Sequence, residues 1–230
     1  MRIENIRPNP EVISYMTIRR AIGILGISLP IVLLIGGYCL GCKTMMPSIS
    51  HYYYTYLVTV FTGTLCAVGL FLISYKGFSL VDDRATNFAG MCAFGIALFP
   101  TDAPGNGCSI YSGSFTTPPP AIHFTFAAMF FVTLGLISIF LFTQSSGYKT
   151  PEKIVRNRIY RICGFFMLLF VALIALIDFT PLKTTLSAYN PTFCLEALSL
   201  WSFGISWLTK GELISGDRKI QPPPVPEHLK

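Results

Sequence analysis

Residues 149–178 read KTPEKIVRNRIYRICGFFMLLFVALIALID, with five basic side chains inside thirteen residues followed by an unbroken apolar run. Ile162 to Ile177 carries no charge and no strongly polar group. A helix placed at Tyr160–Ile177 approaches the roughly 20 residues needed to cross about 30 Å of hydrocarbon. Helix is also the only open-chain element that satisfies its own backbone polar groups in lipid. The basic stretch 149–161 reads as a topogenic loop whose charges also suit anionic headgroups.

The same pattern recurs along all 230 residues. Apolar runs fall near Ala21–Leu40, Thr55–Tyr75, Ala85–Thr101, Ala121–Thr143, Tyr160–Ile177 and Thr192–Leu208. Composition agrees, with 52% hydrophobic residues, 12% charged and a mean hydropathy of +0.58, against about 25% charged in soluble domains. The expected fold is an all-α polytopic membrane protein with six transmembrane helices. Its parts are an N-terminal segment (1–20), a helical domain (21–210) and a Pro-rich tail (211–230). The third run is short and interrupted by Gly90 and Gly95, but Ala89, Ala93 and Ala97 form a small-residue ridge that lets helices approach in lipid.

Fifteen of the 17 Lys and Arg residues share one side of this arrangement. Arg2, Arg7, Arg19 and Arg20 precede the first run, and Lys76 and Arg84 link the second and third. Lys149, Lys153, Arg156, Arg158 and Arg161 link the fourth and fifth, and Lys210, Arg218, Lys219 and Lys230 follow the sixth. Only Lys43 and Lys183 lie on the other side. Short loops with this asymmetry face the cytoplasm, so both termini are expected there and the protein in a cell inner membrane, as a multi-pass chain. The first run is too long for a signal-peptide core and lacks a small-residue cleavage pattern, so it reads as a retained helix. A net charge of +6 borders helices instead of forming an aromatic-interleaved patch, which excludes nucleic acid as a partner and leaves membrane lipids. The tail QPPPVPEHLK reads as polyproline-like.

That threading gathers His51, Asp102, His123, Asp178 and Glu196 at the opposite face. Cys42 and Cys108, the two cysteines in expected external loops, are a candidate disulfide. The loop from Asp102 to Pro120, without Lys or Arg, is long enough to act as a lid. His51, Thr55, Thr59, Thr62 and Cys66 recur at helical spacing as a polar stripe, and Glu196, Ser199, Ser202 or Phe203, and Ser206 form a second. Ser48 and Ser50 are positioned to cap the second helix. Tyr52, Tyr53, Tyr54 and Tyr56 make an interfacial aromatic belt that suits headgroup contact. Glu196 stands inside an apolar run, where a carboxyl needs a partner.

Three chemistries remain open for this cluster. Ser50, His51, Tyr54 and Asp178 are binding candidates for a lipid or lipid-like amphiphile. Asp102 could orient His123 for general-base work, with Glu196 as a third catalytic group in a lipid hydrolase or remodelling enzyme. His51, His123 and Glu196 could instead hold a divalent metal with a water in an open position, and the residues name no cofactor beyond that option. A small transporter using Glu196 as a relay fits less well, because the inner halves of the runs are almost free of ionisable groups.

Gly95-Ile96-Ala97-Leu98-Phe99-Pro100-Thr101-Asp102, followed after a Gly/Ser-rich loop by His123, resembles the bacterial membrane proteins catalogued as domain of unknown function 998. The organisation is also similar to the six-span Frag/DRAM/Sfk group, whose outer Pro-Ile-Ser segment, fourth-span His and sixth-span Glu are matched by Pro47-Ser48-Ile49-Ser50, His123 and Glu196 with Trp201 nearby. His51 stands where that group usually has Asp, and the aromatic does not directly follow Glu196. The resemblance implies a lipid-associated role in the outer half of a bilayer and carries no assigned reaction.

Overall fold

A computed structural model describes residues 15–103, 108–110, 119–145 and 150–214, and all its regular structure is helical, with no strand among the described residues. Among the described residues, three helices are long and apolar enough to cross a membrane: Tyr15–Cys39, the helix running from Pro120 to Leu141, and Pro151–Asp178.

Each of the six apolar runs falls on a long helix, with edges set by local chemistry. α1 spans Tyr15–Cys39, α2 Val58–Ser74, α3 Leu80–Leu98, α4 Pro120–Leu136, α5 Pro151–Asp178 and α7 Pro191–Lys210, with the short α6 at Leu182–Leu186. α3 starts at Leu80, ahead of the expected Ala85, because Ser79 and Asp82 form a capping box across the first turn. The basic stretch expected to be a loop is instead helical from Pro151. Thr150 accepts from the Lys153 N–H, Pro151 occupies the first helical position and Glu152 complements the positive end of the dipole. α2 begins only at Val58, because Ser50–Tyr54 forms a separate 3-10 turn. α4 closes on a π-helical turn at Ile137–Leu141, where the Ser138 hydroxyl donates to the Tyr160 carbonyl at 2.9 Å and lies 2.5 Å from the Ser206 hydroxyl.

The long helices close into a ring. α1 packs on α2, α2 on α3, α3 on α4, α4 on α5, α5 on α7, and α7 returns to α1. Backbone approach at three of these crossings depends on paired glycines. A Cβ on Gly204 would stand 2.7 Å from the Gly23 carbonyl, one on Gly90 2.7 Å from that of Gly69, and one on Gly164 2.7 Å from that of Gly135. Small residues at helix contacts are how bundles gain van der Waals packing where the surroundings are as apolar as the core. Large apolar side chains remain on the outside of every long helix, including Ile24 and Ile35, Leu70, Met91, Phe140, Phe165 and Leu198.

The two ends of the ring differ chemically. At one end, the Arg20 Nε donates to the Gly211 carbonyl at 2.8 Å, Arg19 sits 5.3 Å from the Tyr75 ring centre, and Lys210 lies 4.9 Å from that of Phe142. Lys76 pairs with Asp83 there at 3.5 Å. The other end carries the Cys42–Cys108 disulfide, whose Cα atoms are 5.0 Å apart, together with Ile49, Ser50, His123 and Glu196. Residues 1–14 and 215–230, with the Pro-rich tail, lie outside the described residues, as does most of the expected lid.

Candidate functional site

Five residues, Pro47 to His51, stitch the non-basic end together. Pro47 cannot donate, so its carbonyl is what it offers the first turn of α7, accepting from the Phe193 N–H at 3.1 Å. That N–H is one of the four orphan donors any helix start presents. One turn further along α7, a Glu196 Oε2 atom accepts from the Ile49 N–H at 2.6 Å. The segment is therefore docked on α7 at two points, and Glu196 has the partner its position in an apolar run demands.

Ser50 carries the connection to α4. Pro120 starts that helix and places His123 in its first turn, only 1% exposed. Its Nδ1 lies 2.7 Å from the Phe99 carbonyl and its Nε2 lies 2.9 Å from the Ser50 hydroxyl. A carbonyl only accepts, so Nδ1 carries the proton, and in the neutral ring Nε2 accepts from Ser50. Phe99 ends α3 and stacks on Phe126 of α4 at 5.8 Å, which holds that carbonyl in place.

His51 makes a separate, local arrangement. Its Nδ1 lies 2.5 Å from the Ser48 hydroxyl, which also accepts from the His51 backbone N–H at 3.3 Å. Burial holds the imidazole pKa below its ordinary value, against the opposing pull of Asp102 and with lesser like-charge contributions from His123 and Lys183. Asp102 itself is exposed and accepts from the Thr101 hydroxyl at 2.8 Å.

Several sequence expectations require correction. Asp102 does not orient His123, because the Phe99 carbonyl takes the Nδ1 proton and Asp102 turns to Thr101 and the surface. His51, His123 and Glu196 do not form a metal set, and among the described residues no three His, Cys, Asp or Glu side chains do. Both His123 nitrogens and the proximal Glu196 oxygen are already committed to protein partners. Ser48 and Ser50 do not cap α2, which starts at Val58 without a side-chain cap. The stripe from His51 to Cys66 is broken by the 3-10 turn, and Thr59 is exposed. The stripe on α7 persists, with Ser199, Phe203 and Ser206 all buried. Tyr52 and Tyr54 are core residues, leaving Tyr56 as the exposed ring, and the Tyr54 hydroxyl donates to the Thr101 carbonyl at 2.5 Å.

Two cavities flank the Pro47–Ser50 segment. The larger, of about 420 Å³, is bounded by Met46, Pro47, Ile177, Asp178, Lys183 and Thr192 among others. Within it, Lys183 pairs with Asp178 at 3.8 Å, and Thr192 hydrogen-bonds the same carboxylate. The smaller, of about 40 Å³, is an apolar crevice whose polar groups are Ser50 and Glu196, set among Leu29, Phe61, Phe130 and Leu200. Sequence reasoning picked Asp178 but not Lys183, whose only signal was its isolation as one of two cations on that side. No protein-family model, curated protein or solved structure matches the chain.

Proposed function

We propose that the chain is an integral membrane protein whose six long helices all cross the bilayer, with both termini and the basic end in the cytoplasm. The opposite end binds a lipid or lipid-like amphiphile. The exposed apolar flanks, the three membrane-length helices and the segregation of cations to one end support the first part. The second rests on one observation, the cavity of about 420 Å³ that contains an Asp–Lys pair. That volume falls in the range of small-molecule sites, roughly 300–1,000 Å³. A neighbouring carboxylate and ammonium of opposite sign suit a headgroup bearing both charges, while Met46, Ile177 and Pro191 give its apolar part a wall. The motif resemblance to lipid-associated six-span proteins points the same way.

The test is mass spectrometry of lipids retained by the protein after purification in mild detergent, alongside Asp178→Asn and Lys183→Met. Enrichment of one headgroup class over the host membrane, lost in both variants, is the expected result. A retained profile identical to bulk lipid in the native chain would remove the binding reading.

A further inference from the structure

The smaller crevice contains a group that binding alone does not require. We propose that Ser50 is a nucleophile, with His123 as its general base, and that the pair opens uncharged carboxylic esters of lipid-like acyl groups. The amphiphile reading supplies the source of such an ester, but the chemistry at Ser50 stands on its own geometry.

Three parts of a nucleophile site are in place. The Ser50 hydroxyl is within hydrogen-bond reach of an imidazole nitrogen that lacks a proton, and the far nitrogen is held in the correct tautomer by a fixed backbone carbonyl. Ser50 also lines the crevice into which a reacting carbonyl would enter. With about 40 Å³ available, the space takes a carbonyl and a water and not a headgroup. Glu196 contributes a carboxyl to the same wall. The apolar remainder of the lining, Leu29, Phe61, Phe130 and Leu200, disfavours a charged phosphodiester and leaves an uncharged ester as the fitting electrophile. The second Ser/His pair in this end is different. Ser48 and His51 sit three residues apart in one turn, no carbonyl among the described residues fixes the ring, and Ser48 lines neither cavity.

In the reaction, the Ser50 oxygen forms a bond to the ester carbonyl carbon as its proton passes to His123 Nε2. Collapse of the tetrahedral species breaks the bond to the alkoxy oxygen, which leaves as the alcohol after taking that proton. Water, deprotonated by the same nitrogen, then releases the acyl group from Ser50 as a carboxylic acid and restores the hydroxyl.

The probe is a fluorophosphonate carrying an alkyl chain, incubated with the full-length protein in detergent and in lipid nanodiscs, with the adduct located by peptide mass spectrometry. The expected outcome is a single adduct on Ser50, absent in Ser50→Ala and unchanged in Ser48→Ala. Labelling should rise with pH along a one-proton curve in the imidazole range. His123→Gln separates a base from a structural anchor, because its amide can donate to Phe99 and accept from Ser50 yet cannot take the proton. With its thermal midpoint retained, it should label about 10²–10⁴-fold more slowly. If His123→Gln is poorly folded, the pH curve of the native chain decides. Absence of a Ser50 adduct in folded native protein, or labelling without an imidazole-range pH dependence, would overturn the proposal. The two readings fail separately: a retained-lipid profile identical to bulk lipid removes the amphiphile reading, whereas a missing Ser50 adduct in protein that still retains a selected lipid removes the nucleophile alone.

Discussion

Replacing Glu196 with leucine removes the acceptor that ties the Pro47–His51 segment to α7 while nearly conserving volume. The Ile49 N–H, now 2.6 Å from a Glu196 carboxyl oxygen, would be left inside the protein without a partner. An unsatisfied buried donor costs about 1–3 kcal/mol, and the same segment positions Ser50 against His123, so some of that second bond is also at risk. A total near 3 kcal/mol is expected. At about 2–4 °C per kcal/mol for a chain of this size, the midpoint of thermal unfolding in detergent should fall by roughly 6–12 °C. Glu196→Gln keeps an amide oxygen in the same place and should lose about a third of that or less. The decisive comparison is between the two variants. Equal midpoints for Leu and Gln, or a Leu variant as stable as the native chain, would show that the Ile49 contact does not hold this end of the bundle together.

Other perturbations have distinct readouts. Reducing the Cys42–Cys108 bond, which closes a loop of 66 residues, should lower stability by about 2–4 kcal/mol, and alkylation before and after reduction should shift the mass at those two cysteines. Gly90→Val would press a side chain against the Gly69 carbonyl, already 2.7 Å from a Cβ at that position. It should destabilise by more than about 2 kcal/mol, the cost of forced overpacking, whereas Gly63→Ala, where a Cβ meets nothing within 4 Å, should be nearly neutral. His51 titrates below its ordinary value in the folded chain, so the unfolded chain takes up its proton first as pH falls. Stability linked to it is complete above about pH 6.5 and declines from there down through the lowered folded value. His51→Gln should flatten the loss of thermal midpoint between pH 7.5 and 5.5, and an identical slope in variant and native chain would contradict the assignment.

The helices were legible because apolar runs of about 20 residues and basic flanks are strong, local signals, and each run indeed lies on a long helix. Glu196 stood out because a carboxyl in such a run must find a donor, though which donor was not readable. Ile49 lies 147 positions away and offers a backbone group that no residue type advertises. Ser50 was misread for a related reason. A serine ahead of an apolar run resembles a helix cap, and the 3-10 turn that moves the start of α2 to Val58 leaves its hydroxyl free to reach His123 instead. The start of α5 was legible in Thr150-Pro151-Glu152, a cap, a first-position proline and a dipole-matched acid, but the density of positive charge downstream favoured a loop. The glycine crossings could not be placed, since a glycine records that something comes close without recording what.

The most direct test of amphiphile binding at the cavity beside Pro47 is a structure of the purified protein in lipid nanodiscs by cryo-electron microscopy. Density for a headgroup between Asp178 and Lys183, with its apolar portion against Met46 and Ile177, is the expected result. A cavity containing only solvent, in protein whose Ile49–Glu196 and Ser50–His123 contacts are intact, would contradict it.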